Sequence, residues 1–199
     1  MSWYDTFATF YDGSVERFYR DYRAGVINAM GLAPGQRALD LACGTGPNLP
    51  LLAAAVGPTG SVLGVDFSAG MLARAGTRVA ELPQVTLLQR DARTLTPADI
   101  GPIDAIVSTL GLSVIPDFEA VLAATWSLLA PGGRFVIFDV YAERWVPASS
   151  WIKLIAQADL YRRPWEVLEG LGATVERRWL DGSPHVHGGR PYLAVARKP

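Results

Sequence analysis

The sequence predicts an α/β fold: a doubly wound, largely parallel sheet of seven strands whose last strand runs antiparallel, preceded by an aromatic helical segment. Three observations carry this reading. Between Arg37 and Val140, short apolar strand-like runs alternate with runs of helical periodicity, as in a parallel sheet covered on both faces. A glycine loop, Cys43-Gly44-Thr45-Gly46, joins the first strand to the first core helix. Finally, two strand-like runs at 174–180 and 192–197 are separated by a loop short enough for a hairpin. The 199 residues read as one domain: a helical lid (1–30), a core (36–140), a helical insertion (141–172) and a closing hairpin (173–199).

Each element has its own local cause. Residues 1–23 hold eight of the chain's 20 aromatic side chains, and the spacing of Phe7, Phe10 and Tyr11, then of Phe18, Tyr19 and Tyr22, predicts two short amphipathic helices broken near Gly13. "RALDLA" (37–42) is a strand and "PNLPLLAAAV" (47–56) a helix, stopped by "GPTG". "SVLGVDF" (61–67) is the second strand, and Ser68 is suited to cap the helix "SAGMLARAGTRVAEL" (68–82). "VTLLQRDA" (85–92) and "PIDAIVST" (102–109) are strands, "DFEAVLAATWSLL" (117–129) a helix, and the turn "APGG" delivers the strand "RFVIFDV" (134–140). Residues 141–172 carry apolar side chains at helical spacing and two prolines, which predicts two helical pieces.

Composition narrows the function classes. Half of the residues are apolar and 19% are charged, the balance of a globular chain, and a net charge of -1 supplies no general attraction for nucleic acid. One cysteine, Cys43, and two histidines, His185 and His187, leave no disulfide framework and no expected metal site. No apolar stretch reaches membrane-spanning length, and the first residues lack the charged start and apolar run of a signal peptide, so the expectation is a cytoplasmic protein.

The glycine loop is built to receive a ligand. Glycines let the backbone approach it closely, and the following helix offers free N–H groups and the positive end of its dipole. A phosphate-binding P-loop needs a Lys and a Ser or Thr after its second glycine, and neither is present. A dinucleotide fingerprint needs Gly or Ala three residues after Gly46, where Leu49 stands, and Pro47 removes a donor from the first turn. Asp66, 20 residues after Gly46, is placed to take the hydroxyls of a ribose, a feature common to dinucleotides and adenosyl ligands. Asp40, inside the first strand, discriminates: a carboxylate there suits a cationic ligand and repels a pyrophosphate, unless it merely caps the loop. Asp91, ending "QRDA", is suited to accept from an adenine amino group. Together these residues describe a site for a nucleoside with a cationic tail.

"ALDLACGTG", "VLGVDFSAGML", "LLQRDA" and "LLAPGGRFVI" resemble, in order and spacing, the motifs of class I S-adenosylmethionine (SAM)-dependent methyltransferases, from about Gln36 to Val140. That resemblance implies a Rossmann-like seven-stranded sheet and SAM as cofactor. It places Asp40 and the backbone of Ala42, Cys43, Gly44, Thr45 and Gly46, with Asn48, at the methionine end; Cys43 itself is given no chemistry. Asp66 would bind the ribose, Phe67 and Met71 would lie against the adenine unless they are simply core, and Asp91 and the Ala92 N–H would read its edge. Ser108, Thr109 and Leu110 would floor the site near the sulfonium.

The acceptor is read from chemistry first. A neutral amine needs only to lose a proton, whereas a phenol or carbon acid needs a base within reach. No histidine stands at the end of a predicted strand, which favours nitrogen. Tyrosines of the lid, Tyr11 and Tyr19 among them, could surround a methylammonium, and Arg23 or tyrosine hydroxyls could take a phosphate. Asp139, ending the fifth strand, points either into the cleft or into a cap. "STLGLSVIPDFEAVL" with "GTGPNL" is similar to bacterial N-methyltransferases of phosphatidylethanolamine and betaine lipids, and to ubiquinone/menaquinone C-methyltransferases. The expectation is methylation of a lipid amine, with a quinone or other small aromatic acceptor as the alternative and a non-catalytic SAM-binding subunit as the rival from another class. The lid's apolar and basic surface then suits peripheral contact with lipid.

Overall fold

Seven strands pair into a single sheet: β1 (Arg37–Leu41), β2 (Ser61–Asp66), β3 (Val85–Gln89), β4 (Ile103–Thr109), β5 (Leu129–Tyr141), β6 (Thr174–Trp179) and β7 (Arg190–Arg197), in the order β3-β2-β1-β4-β5-β7-β6. This computed structural model describes residues 19–143, 149–150 and 157–199. Strands β1 to β5 run parallel, and β7 is antiparallel to both of its neighbours, with Phe138 opposite Leu193 and Trp179 opposite Tyr192. The predicted hairpin is therefore present, with β7 inside the sheet and β6 at its edge. Successive strands step outward in opposite directions from β1 and β4, so the carboxyl ends of these two central strands flank the crevice where such sheets bind ligands.

The helical elements are α1 (helical over 19–30), α2 (Leu49–Val56), α3 (Ala69–Arg78), α4 (Pro97–Ile100), α5 (Phe118–Leu128), α6 (Pro164–Gly170) and α7 (Pro184–His187). Period-2 alternation divides the strands between two cores. One face carries Ala38, Val107, Val136 and Phe138 under α1 and α2; the other carries Leu39, Leu41, Ile106, Phe135 and Ile137 under α5 and α6. Helix α1 lays Tyr19, Val26, Ile27 and Met30 on the first face at helical spacing, and these four side chains are buried. The Tyr19 hydroxyl is 3.1 Å from His187 Nδ1, and its ring packs edge-on against Phe138. The Tyr22 hydroxyl donates to the Asp181 carbonyl, tying α1 to the β6–β7 connection.

Several boundaries differ from the sequence reading for local reasons. Helix α3 stops at Arg78 rather than 82 because Leu82 N turns back onto the Val79 carbonyl. Strand β3 stops at Gln89, since Asp91 accepts from Arg93 N and starts a turn of 3-10 helix over Ala92–Thr94. The loop read between the last two strands contains α7, started by Pro184 at a position where its missing N–H costs nothing. Of the two helical pieces expected over 141–172, α6 is one; the other lies largely outside the described residues, as do the lid residues 1–18 and with them Tyr11. No helix among the described residues is long and apolar enough to cross a membrane.

Candidate active site

A cavity of about 270 Å³ opens at the carboxyl ends of β1, β2 and β4, at the crevice that the sheet order specifies. Its walls bring together Ala42, Cys43, Gly44, Asn48, Asp66, Phe67, Met71, Asp91, Ala92 and Thr109 from the sequence reading. The loop that shapes it is backbone-driven: Cys43 N donates to the Val65 carbonyl at 3.0 Å and Gly46 N to the Cys43 carbonyl at 2.9 Å. Ala42 (φ 55°) and Leu110 (φ 57°), just beyond β1 and β4, adopt left-handed backbone although neither is glycine. Each such residue costs about 1–3 kcal/mol, a strain tolerated where surrounding structure dictates the turn.

The polar end of the cavity is one connected network. Asp40 is fully buried; its Oδ1 accepts from Asn48 Nδ2 at 3.2 Å, while Oδ2 has no partner among the described residues. Asn48 Nδ2 also donates to Thr109 Oγ1 at 3.1 Å, and Asn48 Oδ1 accepts from Arg23 Nη1 at 2.7 Å. Burial pushes the Asp40 carboxyl up to about 7, against the opposing pull of the Asn48 hydrogen bond and the Arg23 charge. Asp40 is thus held behind the wall and acts on the cavity through Asn48. Ser108 and Thr45 are also buried behind it, each with a hydroxyl lacking a partner among the described residues. Gly46 lies behind the wall too, pressed against Leu49 and Ala75 of the helices α2 and α3.

Asp66 and Asp91 line the opposite side in different electrostatic states. Asp66 accepts from Gly44 N at 2.8 Å and Ser68 N at 2.9 Å, and burial raises its carboxyl above the ordinary value. Asp91 is gripped by the Arg93 guanidinium, at 2.6 Å for the shortest contact, and this hydrogen bonding holds its carboxyl below the ordinary value. Arg93 also reaches Asp117 at 2.6 Å. Phe67 presents its ring to solvent at the rim, 67% exposed, whereas Met71 is buried beneath. Burial pushes the Cys43 thiol up, so it carries no thiolate to use as a nucleophile.

The two catalytic candidates that lie among the described residues, Tyr19 and Asp139, are not brought to the cavity. Tyr19 is buried against Phe138, with its hydroxyl committed to His187. Asp139 belongs to the opposite sheet face from Asp40: it alternates with Phe138 and Val140, and it accepts from Ser113 N and Val140 N. Of its two expected orientations, this is the cap.

The sequence reading gave Arg23 no place in the cofactor site, yet it lines the cavity and is only 6% exposed. The signal was available: Arg23 is the single charge in the apolar stripe Tyr19, Val26, Ile27, Met30, where a cation must have a buried partner. Val114, Ile115 and Pro116, which wall the other end, carry no such signal and are set there only by the turn after β4. Arg23→Ala leaves Asn48 Oδ1 without its donor, and chemical denaturation is expected to show a loss of about 1–3 kcal/mol of stability.

Comparison with known proteins agrees with this architecture. Residues 38–133 match the family described as a methyltransferase domain. A demethylmenaquinone methyltransferase of Staphylococcus aureus is 36% identical over 121 residues, covering 61% of this chain and 50% of its own. The chain therefore spans about half the length of these curated relatives. Among solved structures, phosphoethanolamine N-methyltransferase 2 of Haemonchus contortus, in complex with phosphomonomethylethanolamine and S-adenosylhomocysteine, superposes with a TM-score of 0.77 at 19% identity, over 98% of this chain and 57% of its own. A Haloferax volcanii putative methyltransferase, solved with its Trm112 activator, gives a TM-score of 0.78 at 18% identity over 100% and 99% of the two chains.

Proposed function

We propose that this chain, whose residues 38–133 match the methyltransferase-domain family, is a class I methyltransferase that transfers a methyl group from SAM to an amine, the leading acceptor class being a lipid amine head group such as phosphatidylethanolamine. The residues present fit the cofactor. Asp40 is a buried carboxyl whose Oδ2 has no hydrogen-bond partner among the described residues, Gly44 leaves open space at the wall, and Arg23 offers a fixed guanidinium for a carboxylate. Asn48, backed by Asp40 and joined by the Gly44 backbone, would hold the methionine end. Asp66 would take the ribose: its two accepted N–H bonds orient it and leave lone pairs for hydroxyls. Phe67 and Ala92 would meet the adenine, and Asp91 would share its carboxylate between that base and Arg93.

When bound, SAM supplies a methyl group on a sulfonium, which needs an in-line nucleophile more than a dedicated catalyst. Holding the partners together in a walled cavity can account for roughly 7–11 kcal/mol of the barrier. The observation that favours an amine is the lining itself. Among the described residues, its carboxylates are Asp66 and Asp91, both already hydrogen-bonded, and no histidine faces it. An amine arriving neutral attacks with its own lone pair and releases its proton to water afterwards, whereas carbon needs a base first. The second reading, C-methylation of a quinone precursor, is favoured by the Staphylococcus aureus relative.

The test is incubation with methyl-labelled SAM and vesicles carrying either phosphatidylethanolamine or a demethylated quinone, followed by mass spectrometry of the lipids. Methyl increments on the aminolipid support the proposal. Label on the quinone overturns the amine and retains the methyltransferase; bound SAM with no transfer to any acceptor class supports the non-catalytic subunit.

A further inference from the structure

We propose that Asp139 and Arg162 form a clamp that fixes the Leu110–Pro116 segment, the wall of the cavity beyond β4, and so positions the acceptor. Both are positioning residues, reaching the site through backbone rather than by touching substrate. The inference rests on the cavity being the methyl-transfer site.

The segment supplies Leu110, Gly111, Val114, Ile115 and Pro116 to the cavity wall. It leaves β4 through the left-handed Leu110, whose N–H is held by the Phe138 carbonyl at 2.8 Å. Beyond that point its own backbone supplies little: Val114 N and Ile115 N both return to the Gly111 carbonyl, each at 3.1 Å. Four further backbone groups are held from behind. Asp139 Oδ2 accepts from Ser113 N at 3.0 Å, and its Oδ1 is anchored by Val140 N at 2.8 Å. The Ser113 carbonyl accepts from Asp159 N at 2.7 Å. Arg162 Nη1 donates to the carbonyls of Leu112, at 2.8 Å, and Ile115. The guanidinium is itself steadied over the Phe118 ring, 5.0 Å from its centroid, and lies 3.6 Å from the Asp159 carboxylate.

A carboxylate at 3% exposure with no ion-pair contact among the described residues is costly to bury. What it gains here is two backbone N–H donors, one of them from the wall segment, in the manner of a charge-assisted cap. The arrangement places a rigid acceptor and a rigid donor behind a turn that has almost no internal ladder. Loosening either one frees the turn that faces the substrate, while Asp40, Asn48 and Arg23 remain on the far sheet face, untouched.

The experiment compares Asp139→Asn, Arg162→Gln, their combination, and Leu168→Ala, a core truncation on α6 away from the cavity, as a control for plain loss of stability. Each variant is read by calorimetric SAM affinity, by kcat and KM for the acceptor, and by amide hydrogen exchange over 112–115. Expected for both clamp variants is roughly tenfold faster exchange at these amides and a roughly tenfold fall in kcat/KM, with SAM affinity kept within about twofold. The combination should cost little more than the worse single variant, the non-additivity of one device. Unchanged exchange over 112–115 in both clamp variants, or an equal fall in kcat/KM in Leu168→Ala, overturns the clamp. If the wild type transfers no methyl to any acceptor, the function reading fails by itself, and the exchange data still decide whether the clamp exists.

Discussion

Asp40→Asn is expected to make the free protein more stable at pH 8 while weakening SAM binding by roughly 10- to 100-fold, the loss of a hydrogen-bonding network built on a charge. The stability half follows from linkage. The Asp40 carboxyl titrates near 7 in the fold against an ordinary value of 3.8. Below 3.8 it is protonated in both states, and as pH rises towards 7 the unfolded chain releases its proton first, so the folded state loses stability over that window. The full difference amounts to an upper limit of about 4 kcal/mol. Asparagine has no proton to lose, and thermal melts at pH 8 should rise by on the order of 5 °C, with the gap closing towards pH 4. Burial raises Asp139 in the same direction, to about 6, so some of the decline persists in the variant. Binding has the opposite pH dependence. A cationic ligand requires the Asp40 carboxylate, so wild-type SAM affinity should fall as pH drops below about 7 and should be flatter in the variant. Wild-type affinity in Asp40→Asn, by calorimetry, would sink the assignment of this network to the cofactor.

The paired substitutions Gly44→Ala and Gly46→Ala should fail in opposite ways. Both glycines have left-handed backbone, with φ of 57° and 77°. An alanine at Gly44 meets nothing within 4 Å, so its stability cost is only the left-handed penalty, about 1–2 kcal/mol. Its methyl stands at the cavity wall, and SAM affinity should drop more than about tenfold. At Gly46 the added carbon would lie 2.8 Å from Leu49 Cδ1 and 3.0 Å from Ala75 Cβ, where α2 and α3 close on the loop. Overpacking of about 1–3 kcal/mol adds to the backbone penalty, so Gly46→Ala should lose roughly 2–5 kcal/mol in denaturant melts. The fraction that remains folded should bind SAM, because Gly46 stands behind the wall. Equal binding losses per folded molecule would contradict this division of labour.

The sequence by itself determined the layered fold and which strand-end residues gather at one cavity. Strand-to-helix alternation specifies a parallel sheet, the hairpin spacing specifies its antiparallel closure, and Gly44, Asp66 and Asp91 follow one another at strand ends that a parallel sheet must gather on one edge. Such local patterns are legible because backbone conformation and strand direction decide them. Only the tertiary structure decided the rest. Asp139 looked eligible because strand β5 is apolar on both sides, "RFVIFDV", so periodicity could not say which face it occupies; the pairing of Phe138 with the α1 side sends it to the other. Tyr19 could have entered the cavity until His187, 168 residues away, engaged its hydroxyl. Arg23 entered instead, because Asn48 supplies its acceptor from a separate segment. Side chains are committed by long-range partners, and in this protein those partners turn a sheet edge readable in the sequence into a cavity with a defined polar end.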